Sequence, residues 1–335
     1  MFWFNGWKRI FVNDEARQCL QLENSVTDIA KAVEILSSGG LVAVPSETVY
    51  GLGADATSSS AVRKIFAAKK RPAGHPLIIH VTNIESARTF SSDFNEVAET
   101  LGSEFWPGPL TLLVKRSSKV IDEITGGRET VALRVPAHET FQKVLAAFSQ
   151  KASGAIAAPS ANLYGSVSPT TAEHVLSDMG HLIDAVIDGG QCAVGIESTI
   201  VDCTVSPPTI LRQGAITLDL VNAALTPTGI IATEEINGDS RAPGMKLSHY
   251  APRADVKLFE TKDSLFAYAN QCDMKEIPYV SIIGYDDPKL YARELYSLLR
   301  DADALQPHEI LVLLPESSDI GVAIRDRLFK AAAPH

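Results

Sequence analysis

The sequence contains no Cys-x-x-Cys pair: its four cysteines, Cys19, Cys192, Cys203 and Cys272, stand far apart. That spacing offers neither a zinc site nor a thioredoxin-like redox centre, and free thiols in a reducing compartment are the expected state. No apolar run approaches the ~20 residues that a membrane-spanning helix needs. The opening, Met1-Phe2-Trp3-Phe4-Asn5-Gly6-Trp7-Lys8-Arg9, is aromatic but too short and too polar for a signal peptide. A cytoplasmic location with no membrane partner is therefore expected. Positive charge is also scarce: 30 Lys and Arg stand against 40 Asp and Glu, for a net charge of −10. A general nucleic-acid coat wants clustered cations and is disfavoured, although net charge does not exclude a local basic cleft.

What is present is an ordinary globular composition, 45% apolar and 21% charged, over 335 residues. That length supports two domains with cores of their own. Ser25 and Asp28 form a capping box for a helix over 26–36, which Gly39-Gly40 stops. Thr57 or Ser58 caps a second helix that ends near Arg71-Pro72. Further helices are predicted over 96–105, 138–148 and 171–179. Short apolar strands are predicted at 41–44, 77–81, 110–114, 130–135, 155–158, 185–187, 199–201 and 209–211. Interleaved strands and helices predict an α/β catalytic domain over 20–215 built on one large, twisted, open sheet.

The pattern then weakens. From about 226 to 252 the chain holds Pro227, Gly229, Gly238, Pro243, Gly244 and Pro252. A linker or lid is expected over 216–254, since connections of such length tend to be functional or disordered. A second alternation over 255–335 predicts a small Rossmann-like β-α-β-α-β-α domain. It lacks a G-x-G-x-x-G turn, so dinucleotide binding is not expected there.

Chemistry concentrates in one region. Pro45-Ser46-Glu47-Thr48-Val49-Tyr50-Gly51-Leu52-Gly53 follows an apolar strand, and it is read as a turn rich in hydroxyls and glycine. Lys69-Lys70-Arg71-Pro72 and His75-Pro76-Leu77-Ile78-Ile79-His80 come soon after. Ligands of open α/β sheets sit at strand ends, and hydroxyls with guanidinium groups suit a phosphate-bearing one.

These stretches resemble the YrdC-type threonylcarbamoyl-AMP synthases in their long, two-domain form. The family motif P-T-E-T-V-Y-G-L-G corresponds to 45–53, with Ser46 in place of the usual threonine. K-x-R corresponds to Lys69-Lys70-Arg71, and S-x-N to Ser160-Ala161-Asn162. Thr130 to Pro136, Glu197 to Asp202, Ile210 to Gly214 and His249-Tyr250-Ala251-Pro252 extend the match in order.

The resemblance implies that L-threonine, bicarbonate and ATP are joined into threonylcarbamoyl-adenylate with release of pyrophosphate. A downstream tRNA threonylcarbamoyl transferase would use the product, and any direct tRNA contact would be weak. The metal it implies is Mg²⁺ carried by ATP, with no dedicated protein site. Lys69 and Arg71 are the implied catalytic pair. Arg71, His75, Thr130, Ser160, Asn162, Ser168, Arg212 and Tyr250 are the implied ATP contacts. Thr48, His80, Arg134, the backbone of Ala158, and Ser198 are the implied threonine contacts. His75 stands where asparagine is common, which would make ATP binding sensitive to pH. Arg241, Lys246, His249 and Tyr250 would fold over the site as part of a lid.

Taken singly, each residue has a plainer reading. Thr48 would be a turn hydroxyl, Gly51 and Gly53 turn formers, and His80 a hydrogen-bonded core histidine. Lys69 to Arg71 would complement a helix dipole. Arg134, charged and on an apolar strand, resists such a reading because a buried guanidinium needs a partner. Two rival functions remain: an RNA-binding or ribosome-assembly module, and a carbamoyl-adenylate former. The latter proteins carry zinc-finger modules, and this chain lacks their cysteine pairs.

Overall fold

The computed structural model describes residues 19–234 and 250–333. The first two long helices begin where the sequence places caps. Ser25 accepts from the Asp28 amide to start Val26–Ser37, and Ser58 accepts from the Ala61 amide to start Ser59–Lys69. Asn95 and Thr171 do the same for Glu96–Phe105 and Ala172–Met179. Each cap satisfies an amide that the first helical turn leaves without a partner.

The large domain is built on a mixed sheet of 12 strands. Its middle runs Gly51–Asp55, Ile156–Ala157, Ile78–His80, Thr130–Arg134, Leu110–Arg116, Thr199–Asp202 and Thr209–Arg212, each beside the next. Successive side chains of a strand face opposite ways, and the two cores follow that period. Ala43 joins a core with Leu52, Ile65 and Val62, whereas Val42 and Val44 join Leu36, Phe141 and Phe148 on the other face.

Register then sets the chemistry. Ile78–His80 runs parallel to Thr130–Arg134 with His80 opposite Arg134, so both side chains reach the same edge. Thr199–Asp202 pairs parallel with Leu110–Arg116, which brings Thr111 beside Ser198.

Two expectations need correction. The Gly51 to Gly53 stretch is not a turn: Gly51–Asp55 is a buried strand antiparallel to Val42–Val44. Its glycines serve close approach. A Cβ on Gly53 would lie 2.9 Å from the Val42 carbonyl oxygen, and one on Gly51 would lie 3.0 Å from the Ala158 Cβ. Nor does the linker begin at 216. Helix Leu218–Leu225 buries Val221 and Leu225 in the main core, and Thr233–Glu234 adds a strand beside Thr209–Arg212. Arg241, Lys246 and His249 of the expected lid lie outside the described residues.

The small domain has three parallel strands, Asp255–Phe259, Tyr279–Ile282 and Glu309–Leu313, with helices Lys262–Met274, Pro288–Ala304 and Ile320–Ala331. The alternation matches the expected one. Its last strand lies in the centre, unlike the sequential strand order of a dinucleotide-binding half. Its core does not stop at the domain edge: Tyr291, Leu295 and Ile324 share a cluster with Val49, Val167 and Ile196 of the large domain. Among the described residues no helix is long and apolar enough to cross a membrane.

Candidate active site

The connection between Val42–Val44 and Gly51–Asp55 is shaped by one hydroxyl. Ser46 Oγ donates to the Val49 carbonyl at 2.6 Å and accepts from the Thr48 and Val49 amides, both at 3.2 Å. It also lies 2.9 Å from Thr48 Oγ1. The turn so held presents Thr48 to a cavity at the sheet edge.

Arg134 enters that cavity from its strand. Nη1 donates to Thr48 Oγ1 at 2.9 Å, Nη2 to Glu47 Oε1 at 2.7 Å, and Nε to the Gly108 carbonyl at 3.2 Å. Glu47 is itself fixed, because its other oxygen accepts from the Ala137 amide at 3.1 Å. Beside Arg134, His80 packs against Phe141 with ring centroids 5.1 Å apart. Burial, and then the charge of Arg134, bring the His80 pKa down to about 3. The imidazole is thus a neutral hydrogen-bonding group, and its Nδ1 is buried with no hydrogen-bond partner.

Arg71 comes from the other side. Lys70 ends helix Ser59–Lys69 in a left-handed conformation, at φ 52°, and this turns the chain so that Arg71 faces the cavity. Its Nη2 donates to the Pro76 carbonyl at 3.1 Å, and its guanidinium lies 5.6 Å from the centre of the Tyr164 ring. Its Nε is buried with no hydrogen-bond partner, and burial lowers its pKa to about 10. A buried donor without a partner is costly, and an anionic ligand would supply one. Arg212 closes the same wall, with Nε on the Ser198 carbonyl at 2.9 Å and Nη2 on Ser198 Oγ at 3.0 Å. Ser198 Oγ also meets Thr111 Oγ1 at 2.8 Å.

Nine residues read from the sequence thus line one cavity. Thr48, Arg71, His80, Arg134 and Ala158 form part of it, and Ser160, Ser198, Arg212 and Tyr250 complete their share. Five stand apart from its wall. Lys69 is buried, and its Nζ donates to the carbonyls of Ser160 and Asn162, both at 2.5 Å. Burial holds its pKa well below the ordinary lysine value. Lys69, one of the implied catalytic pair, stands off the cavity wall and braces the loop that carries Ser160.

Asn162 holds that loop from within, donating to Leu163 and Ser166 carbonyls at 3.0 and 2.7 Å. Ser168 donates to Glu197 at 2.7 Å. His75 stands against Tyr164, with Nδ1 3.4 Å from the phenol oxygen. Thr130 opens the strand that Arg134 ends, about 13 Å along it at ~3.3 Å per residue.

Eight lining residues carry no role in the sequence reading, and among them Ser46, Phe141 and Glu197 bear on the chemistry. Ser46 and Glu197 stand inside matched motifs, which was the available signal. Phe141 sits on an amphipathic helix and reads as core. Burial works to raise the Glu197 pKa, but the guanidinium groups of Arg327 and Arg212 outweigh it and bring it down to about 2.

Comparison with known proteins bears on this site. A family model described as "Telomere recombination", covering Sua5, YciO and YrdC, matches residues 34–214. A second, described as "Threonylcarbamoyl-AMP synthase, C-terminal domain", matches 216–333. A threonylcarbamoyl-AMP synthase of Pyrococcus abyssi is 40% identical over 321 residues, covering 90% of this chain and 93% of the relative. One of Bacillus subtilis is 35% identical over 332 residues, covering 93% and 95%. The crystal structure of P. abyssi Sua5 complexed with L-threonine superposes with a TM-score of 0.87 at 36% identity, covering 94% of this chain and 97% of that one.

Proposed function

The chain belongs to the Sua5–YciO–YrdC family, and we infer that it is a threonylcarbamoyl-AMP synthase, converting L-threonine, bicarbonate and ATP into threonylcarbamoyl-adenylate and pyrophosphate. The observation that carries this reading is the convergence of three buried guanidinium groups, Arg71, Arg134 and Arg212, on one cavity that also holds Thr48, His80 and Ser198. Two anions must meet in this reaction. Threonine and bicarbonate lose water to give N-carboxy-threonine, and its carbamate oxygen attacks the α-phosphorus of ATP. A bond from that oxygen to phosphorus forms as the bond to the β-phosphate oxygen breaks, and pyrophosphate leaves. Such a step depends on positioning and charge neutralisation more than on a strong base.

The residues divide accordingly. Three of Arg134's five donors are used on Gly108, Thr48 and Glu47, which leaves two for a substrate carboxylate. Neutral His80, Thr48 and Ser198 suit an amine and a hydroxyl, and the Phe141 ring suits a methyl group. Arg71 and Arg212 neutralise phosphate, with Ser160 on the loop that Lys69 braces. His75, Thr130, Asn162 and Ser168 are proposed to act on the nucleotide at or behind this wall.

Magnesium is proposed to enter as part of the nucleotide substrate, where it would offset phosphate charge. Tyr250 lines the cavity from the end of the linker, and we propose that it helps to cover a mixed anhydride prone to hydrolysis. The product's proposed user is a tRNA threonylcarbamoyl transferase, and the proposed location is the cytoplasm, which four free thiols suit.

Mass spectrometry of the product tests the reading. Purified protein given ATP, L-threonine and labelled bicarbonate should yield one adenylate that contains both the amino acid and the labelled carbon. Adenylate formed without either component overturns it.

A further inference from the structure

Glu197 presents a problem for the site just described. It is a buried carboxylate in the wall of a cavity that receives two negative reactants. A buried carboxylate is tolerated only when it is paired and hydrogen-bonded, and here the pairing comes from the other domain.

Arg327, on helix Ile320–Ala331, is completely buried. Its Nε donates to Glu197 Oε2 at 2.7 Å, and its Nη2 donates to the Gln213 carbonyl at 2.8 Å. Its Nη1 pairs with Asp326. Tyr296, on helix Pro288–Ala304, donates its hydroxyl to the same Glu197 oxygen at 2.8 Å. The other oxygen takes the Ser168 hydroxyl at 2.7 Å.

The same two small-domain side chains hold Tyr250. The Arg327 guanidinium lies 5.4 Å from the Tyr250 ring centre, and the Tyr296 ring lies 5.7 Å from it. Arg300, one turn along from Tyr296, pairs with Asp178 at 2.6 Å and donates to the Val167 and Ser168 carbonyls. Two cavity-lining residues, Glu197 and Tyr250, are therefore set by groups that the large domain does not own.

We propose that Arg327 is a positioning residue for nucleotide binding: it neutralises Glu197 from behind the cavity wall and fixes Ser168 and Tyr250, so that the small domain completes the catalytic site of the large one. This rests on the functional reading above in taking ATP as the ligand. ATP is the more highly charged of the two reactants, so it is the one most affected by an uncompensated carboxylate.

The experiment uses the full chain and measures ATP affinity by calorimetry, which requires no turnover, together with the ATP and threonine KM values of pyrophosphate release. Arg327→Met should weaken ATP binding about tenfold or more, with a smaller change in the threonine KM. Adding Glu197→Gln to it should recover most of that loss, because the charge that needed compensation is gone.

If uncompensated charge on Glu197 is not the cause of the loss, the double variant would bind ATP no better than Arg327→Met. That result overturns the proposal, as does unchanged ATP affinity in a folded Arg327→Met. Should Arg327→Met fail to fold, Arg327→Lys and Tyr296→Phe take its place. Each should weaken ATP binding about threefold, and wild-type affinity in both overturns the proposal. Wild-type protein that binds ATP but shows no threonine-dependent turnover would instead count against the functional reading, and the affinity series would still decide the role of Arg327.

Discussion

Arg134 and Glu47 form a buried ion pair at 2.7 Å that joins the end of strand Thr130–Arg134 to the turn carrying Thr48. Because Arg134 also donates to Thr48, one guanidinium sets both the charge and the hydroxyl of the expected threonine pocket. Removing Glu47 leaves a buried cation with no counter-ion, which costs about 3 kcal/mol or more. Glu47→Ala should therefore show that loss in chemical denaturation. Glu47→Gln, which keeps an acceptor, should lose less stability while raising the threonine KM.

Lys69 supports the site through the backbone. Lys69→Met preserves length but leaves the Ser160 and Asn162 carbonyls without its donors, at about 1–3 kcal/mol for each buried group left unpaired. The expected outcome is a lower melting temperature with a rise in the ATP KM and a near-normal threonine KM. A fall in kcat with normal stability and normal ATP KM would restore Lys69 to a direct role in the chemistry.

Glu197 gives a pH signature. Its pKa is held below the ordinary 4.5, at about 2, so the folded state prefers the ionised form. The stability this confers is present above about pH 4.5 and is lost as the pH falls toward 2, on the order of 3 kcal/mol in all. Glu197→Gln cannot titrate. Urea denaturation should show the wild type well above this variant near neutrality, with the gap narrowing as the pH falls below about 4.5. A gap that stays constant with pH would contradict the pairing.

The proposed threonine pocket should discriminate by chemistry. A site that hydrogen-bonds the substrate hydroxyl rejects valine strongly, because its buried partners would go unpaired, whereas serine lacks only a methyl. Serine is expected to be a poor but measurable substrate, and valine nearly inert, in a pyrophosphate-release assay. Equal turnover of valine and threonine would contradict the pocket assignment.

Much of this was legible locally. Ser25 and Ser58 mark helix starts because a cap is a contact between near neighbours. Arg134 and His80 announced themselves as polar residues on apolar strands. Strand Gly51–Asp55 was hidden because its glycines look like a turn, and they are needed only where the chain passes close to Val42 and Ala158. Helix Leu218–Leu225 was missed beside Pro227 and Gly229, although Thr217 caps it. Arg327 was not legible at all. On an amphipathic helix it reads as a solvent-facing cation, and its partner Glu197 lies 130 residues away in the chain.

The central claim is that Arg71 and Arg134 bring nucleotide and amino acid together in one cavity. Pyrophosphate release from ATP, measured with threonine and bicarbonate supplied together and each omitted in turn, tests it most directly when repeated with Arg71→Ala and Arg134→Ala. The account predicts release only when both are present, with the ATP KM raised mainly by Arg71→Ala and the threonine KM mainly by Arg134→Ala. Release that ignores threonine, or two variants as active as the wild type, would contradict it.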